Sequence, residues 1–361
     1  MLKAYSVNEL RAGMKVGRTV QDIDGSVLIH SGTMLKDKDL YRLSGKQVMF
    51  VYIDVPEEDI HAEVVGNEHL LDGGYVECYK HAYARVQSIY YKLGREGKLD
   101  MPSMEELIVD DVIEKLCEGA TSVSQIHNMT RTGDYVIHHA LNVFILAGLM
   151  ADWMHLKWAK KTELMAAGML SEVGKMKVPK EILEKTGKLT PEEFDKVRRH
   201  PEYGFDMLKY SEIAGSKDML MGILQHHERC DGSGYPNHLK GDQIGDYGKI
   251  IALLDIYDAM ATKRSYAKRN SPFDVLKVMY EDMIAGKLDT NYTVLFIKNL
   301  NHALNGNWVG LSNGERAKIV YIDESRIFSM PIVQTTKNQF IDLNRRTDVK
   351  IEALLTANEV D

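Results

Sequence analysis

The chain has 361 residues, of which 44% are hydrophobic and 27% are charged, and its formal net charge is −7. This composition is typical of a globular protein, and the length is sufficient for two or three domains with a sizeable core. The negative charge and the absence of a long basic run argue against binding to a nucleic-acid polymer. A small anionic ligand is not excluded, because it needs only a few local cations.

The sequence predicts neither a membrane span nor a signal peptide. Its longest apolar run, residues 140–151, contains Asn142 and is too short to cross a bilayer. The N-terminus lacks a cationic region followed by an apolar core. The three cysteines form no C-x-x-C pair, which suits a reducing compartment, and we therefore expect a cytoplasmic protein.

The sequence pattern of residues 1–56 predicts a small β-rich unit. Residues 16–29 contain two β-prone runs around Asp24-Gly25, a dipeptide typical of tight turns, and residues 48–55 form another candidate strand. The unit carries no cluster of catalytic side chains. A lid, a dimerisation surface and a sensor are therefore alternative roles for it.

Residues 57–129 predict a helical connector, which leads into a buried helix over residues 135–149. The buried helix is apolar apart from His138, His139 and Asn142. A histidine that faces inward in such a helix must have a partner. A core histidine bonded to a backbone carbonyl is the alternative to a metal ligand here.

Two adjacent histidines, His226 and His227, precede an acidic, glycine-rich turn that ends in proline at residue 236. Residues 217–224 are apolar with helical spacing, so both histidines are expected in the last turn of a helix. Adjacent helical residues point about 100° apart, so the two rings reach one metal ion only from a frayed helix end, or else serve neighbouring positions in a cluster. Two solvated histidines at a polar helix end are the alternative interpretation.

Two further patterns add candidate ligands. A Thr-Pro-Glu-Glu sequence beginning at Thr190 predicts a helix start with a capping box, and that helix is expected to end near His200. Residues 250–260 predict a buried helix in which Asp255 and Asp258, spaced i and i+3, lie on one face. Two carboxylates on an apolar helix need cations or hydrogen-bond donors nearby, which favours a metal site.

Taken in chain order, these motifs resemble the HD-GYP family, a branch of the HD-domain phosphohydrolases best known for hydrolysing the bacterial messenger cyclic di-GMP. The resemblance spans roughly residues 130–285. It rests on His139, Gly174-Lys175, Pro179, His200-Pro201 with Gly204, His226-His227-Glu228, Asp231-Gly232-Ser233-Gly234-Tyr235-Pro236, Leu239-Lys240-Gly241, Asp255 with Asp258-Ala259, and Arg264 with Tyr266. It implies a mainly α fold, in which an HD-type helical bundle core is flanked by a small N-terminal β-rich unit and a small C-terminal β unit.

The resemblance also exposes a departure, because Ser171-Glu172 stands where the family has its eponymous His-Asp pair. Serine is a poor ligand for a divalent ion, whereas Glu172 keeps the carboxylate on a side chain that is longer by one methylene. Tyr135, one helical turn before His139, stands where some members have a glutamate that binds a third metal ion. The resemblance therefore implies two divalent metal ions at most, iron or manganese, with a single bound ion as the alternative.

The resemblance assigns a metal-binding role to six residues. His139 and Asp255 would hold the first ion, and Glu172 would bridge both ions. The second ion would be held by His200, His226 and His227.

The resemblance also implies catalytic and substrate-binding roles. Glu172 and Lys175 are the expected catalytic residues, and Lys175 would contact phosphate or the water that bridges the two ions. Arg264 would bind the far phosphate. The family often has a second basic residue three positions later, where this chain has Ala267 followed by Lys268. Lys268 is therefore a further expected substrate contact. Tyr235 and Pro236, in the loop that names the family, are the remaining expected substrate contacts.

Residues 289–361 predict a small β-rich unit that follows the HD-GYP helical domain, which is expected over residues 130–288. An Asn-Gly dipeptide favours a hairpin before the β-prone run at residues 317–322. Residues 349–355 predict either a strand or a short helix. Bracing of the helical domain and dimerisation are alternative roles for this unit.

Two functions of different classes follow. The first is a metal-dependent phosphodiesterase acting on cyclic di-GMP or a related cyclic dinucleotide, and retention of most of the usual ligands favours it. The second is a catalytically degenerate module that binds the nucleotide or a GGDEF-type protein through the Gly-Tyr-Pro loop and signals without turnover. Change of both residues in the His-Asp pair favours this alternative, and a homodimer is a further expected assembly.

Overall fold

The computed structural model shows a mainly helical protein with small sheets towards both ends of the chain, as predicted. The structure describes residues 2–6, 10–22, 26–44, 50–54, 71–117, 126, 135–183, 185, 187–261 and 271–355. The α-helices within these residues are α1 Asp37–Ser44, α2 Leu71–Glu96, α3 Met101–Val109, α4 Asp111–Leu116, α5 Tyr135–Trp153, α6 Trp158–Leu170, α7 Lys180–Leu183, α8 Pro191–Arg198, α9 His200–Leu208, α10 Lys217–Gln225, α11 Asp246–Ala261, α12 Pro272–Ile284 and α13 Thr290–Leu304. The strands are β1 Leu2–Ser6, β2 Val20–Gln21, β3 Val27–Ile29, β4 Phe50–Asp54, β5 Trp308–Leu311, β6 Arg316–Tyr321, β7 Ile332–Thr335, β8 Phe340–Asp342 and β9 Ile351–Leu355.

The N-terminal strands form two antiparallel pairs around their own small core. Strand β2 pairs with β3, as the sequence predicts, and the Asp24-Gly25 turn between them lies outside the described residues. Strand β1 pairs with β4, so that Leu2 lies opposite Asp54. Sequence analysis did not predict β1, because its partner lies more than forty residues away. Buried side chains such as Val16 and Ile53 hold the unit together.

Helix α5 is the centre of the helical core. It packs against α6, α11 and α2, and its residues from Ile137 to Ala151 are all buried. Within the described residues it is the one helix long and apolar enough to cross a membrane by length and composition. However, 83% of its most apolar window is buried inside the protein, as in the core helix of a bundle.

The helix boundaries around the predicted site follow from local signals. Thr190 and Glu193 form the predicted capping box: the Glu193 N–H donates to Thr190 Oγ1 at 3.2 Å, and the Thr190 N–H donates to Glu193 Oε2 at 2.8 Å. Helix α8 then ends at Arg198, and a second helix, α9, begins directly at His200, which sequence analysis did not predict. Helix α10 ends at Gln225, so the histidine pair lies just beyond the helix and not in its last turn.

The C-terminal part consists of α13 followed by a five-stranded antiparallel sheet in the order β8-β7-β6-β5-β9. The predicted Asn-Gly hairpin joins β5 to β6, and Gly314 in its turn has a φ of +81° that favours glycine. The last described segment is a strand. Sequence analysis did not predict α13, and buried sheet residues such as Val309 and Val333 belong to the same continuous core as the helices. The predicted domain boundaries remain predictions.

Candidate metal centre

The structure brings the six predicted metal ligands together in the helical core. They come from different segments of the chain: His139 in α5, Glu172 after α6, His200 at the start of α9, His226 and His227 after α10, and Asp255 in α11. Five of these residues are buried, and the sixth, His227, has a side chain that is 14% exposed. They form two groups that share one carboxylate.

We name the two groups by their histidine content. The three-histidine group contains His200, His226 and His227 together with Glu172, and the single-histidine group contains His139 and Asp255 with the same Glu172. Within each group, one potential ligand atom from each residue lies within 4.8 Å of the others.

In the three-histidine group, the rings of His200 and His226 face each other through their Nε2 atoms. Nδ1 of His200 donates to the carbonyl of Val197 at 2.7 Å, and Nδ1 of His226 donates to the carbonyl of Ile223 at 2.7 Å. Each neutral ring therefore carries its proton on Nδ1 and a lone pair on Nε2. The two Nε2 atoms are 3.1 Å apart. Two lone pairs at this distance repel each other, so a cation, either a shared proton or a metal ion, must lie between them, and the geometry fits a metal ion.

The carboxylate of Glu172 lies close to the Nε2 atoms of all three histidines. Its Oε1 lies 3.5 Å from Nε2 of His200, 3.5 Å from Nε2 of His226 and 3.8 Å from Nε2 of His227. Its Oε2 forms an ion pair with Lys175. Oε1 is buried and accepts no hydrogen bond from any residue that the structure describes, whereas Oε2 is paired with the Lys175 ammonium. A buried carboxylate oxygen with unused acceptor positions is costly, which fits a metal ion beside Oε1.

The charge states of these groups also suit a divalent ion. Burial disfavours the charged form of Glu172, but the Lys175 ammonium and the other polar neighbours of Glu172 outweigh burial and hold the pKa of the Glu172 carboxyl well below its usual value. Burial lowers the pKa of His226, and burial together with His226 lowers the pKa of His227 well below its usual value. An ionised carboxylate and neutral imidazoles are the forms that bind metal ions.

In the single-histidine group, a second carboxylate, that of Asp258, accepts a hydrogen bond from His139. Nδ1 of His139 donates to Oδ2 of Asp258 at 2.7 Å, and Nε2 of His139 lies 3.0 Å from Oδ1 of Asp255. Burial disfavours the imidazolium, but the hydrogen bonds with Asp255 and Asp258 outweigh burial and raise the pKa of His139 well above its usual value. A proton on Nε2 and a metal ion are therefore alternative cations at this position.

The position of His200 is fixed by close packing between the backbone at Gly174 and the start of α9. A Cβ atom at Gly174 would lie 1.9 Å from the carbonyl oxygen of His200 and 2.5 Å from the backbone nitrogen of Gly204. Only glycine allows the turn after α6 to approach the start of α9 this closely. The Gly-Lys pair thus brings Lys175 and the first histidine of α9 to the same side of the centre.

Comparison with known proteins decides the family. A family model described as an HD domain matches residues 113–291. A cyclic di-GMP phosphodiesterase from Pseudomonas aeruginosa is 30% identical over 92% of this chain and 85% of its own length. The chain belongs to the HD-GYP family.

Other HD-GYP relatives match shorter parts of the chain. A cyclic di-GMP phosphodiesterase from Thermotoga maritima is 40% identical over 36% of this chain and 35% of its own length. The 3'3'-cGAMP-specific phosphodiesterase 2 of Vibrio cholerae is 38% identical over 36% of this chain and 24% of its own length. These names agree with phosphodiesterase activity, the first of the two predicted functions.

A solved structure confirms the fold. An HDG"Y"P protein from Bdellovibrio bacteriovorus superposes with a TM-score of 0.52 at 17% sequence identity, over 84% of this chain and 99% of its own. The predicted mainly α fold with an HD-type core is therefore confirmed.

The departure from the HD-GYP dyad is structural as well as chemical. The hydroxyl of Ser171 donates to the carbonyl of Gly168 at 2.8 Å, one turn back in α6. Tyr135, at the position of a third-metal glutamate in some members, stacks its ring on His139 with centroids 5.8 Å apart.

The HD-GYP loop covers one side of the three-histidine group. The ring of Tyr235 lies 4.7 Å from the ring of His227, and the guanidinium of Arg198 lies 5.0 Å from the centroid of Tyr235. Pro236 follows in the same loop through a cis peptide bond. Sequence analysis missed Arg198, and no local pattern could have linked it to a residue so far along the chain.

The buried carboxylate of Glu228 fixes this loop. It accepts hydrogen bonds from the backbone N–H of Asn237 at 2.7 Å and of Leu239 at 3.0 Å. Sequence analysis gave Glu228 as part of the family motif without predicting this role.

Four residues of the predicted phosphate-binding segment lie outside the described residues: Arg264, Tyr266, Ala267 and Lys268. The predicted roles of Arg264 and Lys268 in substrate binding therefore remain predictions.

Proposed function

We propose that this protein is a metal-dependent phosphodiesterase that hydrolyses cyclic di-GMP or a related cyclic dinucleotide, with Glu172 as the ligand shared by two divalent ions. The observation that carries the proposal is the pair of bare Nε2 atoms of His200 and His226, 3.1 Å apart and next to the Glu172 carboxylate. Relatives named for the hydrolysis of cyclic di-GMP and of 3'3'-cGAMP support the substrate class.

The ligand sets differ between the two ions. The three-histidine group would hold one ion through three imidazoles and Glu172, whereas His139 and Asp255 would hold the other with the same carboxylate. Imidazole mixed with carboxylate suits iron or manganese. Bound in this site, such ions supply an activated water nucleophile and neutralise the phosphate charge.

Other residues of the chain orient the substrate. Burial disfavours the ammonium of Lys175, but Glu172 outweighs burial and raises the pKa of Lys175, which stays cationic and 18% exposed. It would contact a phosphate oxygen beside the shared carboxylate. The ring of Tyr235 packs against the ring of His227, and Arg198 adds a positive charge over the face of the Tyr235 ring. Arg264 and Lys268 are proposed to bind the phosphate farther from the metal centre.

The test is an anaerobic assay of protein loaded with iron or manganese, in which chromatography follows conversion of cyclic di-GMP and of 3'3'-cGAMP to linear products. We expect turnover of at least one substrate, its loss on chelation, and its recovery when the metal is returned. No turnover of either substrate at full metal loading would contradict the proposal.

The geometry of Ser171 favours a second candidate function. Because its hydroxyl points back to Gly168, the single-histidine group has fewer protein ligands than the family pattern provides, and a module that binds the nucleotide without turnover is consistent with such a site. Restoring the family pair with Ser171→His and Glu172→Asp separates the two functions. A gain in turnover would show that the dyad limits the enzyme. No gain at full metal loading, with the nucleotide still bound, would favour the receptor.

We further propose a cytoplasmic protein that contacts a GGDEF-type partner through the loop at residues 234–236 and forms a homodimer. Cross-linking in the presence of such a partner, with and without Tyr235→Ala, tests the first contact, and light scattering tests the second.

A further inference from the structure

We propose that Tyr79 is a positioning residue of the metal centre, holding His139 in place through a chain of buried hydrogen bonds. Tyr79 lies in α2, outside the residues 113–291 that the HD domain model matches. The proposal rests on the proposed function, because it concerns the metal site that contains His139.

The chain of hydrogen bonds runs from α2 through α5 to α11. The Tyr79 hydroxyl lies 2.8 Å from Oδ1 of Asn142 and 3.1 Å from Nδ1 of His138. Nδ2 of Asn142 lies 2.6 Å from Oδ1 of Asp258, and the other oxygen of Asp258 lies 2.7 Å from Nδ1 of His139. All five side chains are buried, so water does not compete for these contacts.

The carboxylate of Asp258 fixes the direction of every proton in the chain. As an acceptor it requires the amide nitrogen of Asn142 to face it, which turns the amide oxygen towards Tyr79. The Tyr79 hydroxyl must then donate to that oxygen, and its own oxygen accepts the Nδ1 proton of His138. On the other side, His139 donates its Nδ1 proton to Asp258. The lone pair on Nε2 of His139 is thereby left for a metal ion.

Tyr79 anchors this chain to a different helix. The rings of Tyr79 and His138 are stacked with centroids 5.8 Å apart, which fixes the hydroxyl relative to α5. Without the hydroxyl, Oδ1 of Asn142 would lose a buried donor, and the amide could rotate away from the orientation that supports Asp258. The expected consequence is a less well-oriented His139, with weaker metal binding at that site.

The experiment compares the metal affinities of wild type, Tyr79→Phe and Tyr90→Phe by chelator competition. Tyr90 is the matched control, since it lies in the same helix, is equally buried, and donates its hydroxyl to the carbonyl of Met169 at 2.5 Å without reaching His139. The ion that is lost in His139→Ala identifies the site concerned. The melting temperature of each metal-free variant reports on folding.

We expect Tyr79→Phe to weaken binding of that ion about tenfold, at the lower end of the range for outer-shell partners. Affinity at the three-histidine group should not change, and Tyr90→Phe should bind both ions like wild type. Equal affinities in Tyr79→Phe and wild type would overturn the positioning role, as would equal weakening of both sites. If wild type itself binds no ion that depends on His139, the proposed metal site fails instead.

A second measurement needs no variant. Nitrogen NMR of histidine-labelled metal-free protein should place a proton on Nδ1 of both His138 and His139. A proton on Nε2 alone in His138 would overturn the proposal, because Tyr79 would then have to donate to His138 and could not hold Asn142.

Discussion

The sharpest prediction concerns Glu172→Gln, which keeps the shape of the shared side chain and removes its charge. The carboxylate belongs to both groups of ligands, so the substitution should weaken both ions. Removal of an outer-shell partner already costs about 10–100-fold in metal affinity, and loss of a direct ligand should therefore cost at least about 100-fold at each site. The single-histidine group should lose its ion completely, because it retains only His139 and Asp255.

The same substitution should destabilise the metal-free protein. Lys175 loses its buried ionic partner, and breaking a buried pair from one side costs about 3–5 kcal/mol. Because 18% of the Lys175 side chain reaches solvent, we expect the lower end, about 3 kcal/mol in the free energy of unfolding. Urea unfolding measures this loss. Elemental analysis and the chromatographic assay measure bound metal and turnover.

Glu163→Gln is the matched control for this experiment. Glu163 is also buried and ion-paired, with Oε2 2.9 Å from Nζ of Lys160, but it belongs to neither ligand group among the described residues. Its variant should keep the wild-type metal content. If Glu172→Gln retained two ions and wild-type turnover, Glu172 could not be the shared ligand.

Two other substitutions test the geometry of the three-histidine group. Replacing both His226 and His227 by alanine should remove the ion of that group, and unchanged metal content by elemental analysis would contradict the assignment. Gly174→Ala should displace the start of α9, because its Cβ would lie 1.9 Å from the His200 carbonyl oxygen, with a cost of about 1–3 kcal/mol in stability and loss of the same ion. Gly187→Ala, where a Cβ meets open space, should change neither unfolding nor metal content.

Sequence analysis succeeded where structure depends on local patterns. The capping box at Thr190 and the buried helix that begins at Tyr135 are both present, because the residues that define each signal are neighbours in the chain. The order of motifs was also sufficient to identify the family.

Sequence analysis failed where structure depends on distant partners. Strand β1 forms only because β4 pairs with it, and nothing in residues 2–6 indicates that partner. The break between α8 and α9 comes at Arg199, two residues before Pro201, and a proline fits the first turn of a new helix as well as the end of an old one. The contact of Tyr79 with Asn142 joins residues 63 apart in sequence, beyond the reach of any local pattern.

The exchange of His-Asp for Ser-Glu changes the two ligand groups unequally. The shared carboxylate survives, since Glu172 still lies within 3.8 Å of three histidine nitrogens. In the proposed site, the histidine that the family resemblance assigns to position 171 would serve only the group that contains His139. An ion with fewer protein ligands depends more on how well each remaining ligand is oriented. We therefore expect the support of His139 by Asp258 to matter most for this proposed site, whose occupancy should respond more strongly than that of the three-histidine group to substitutions far from the metal.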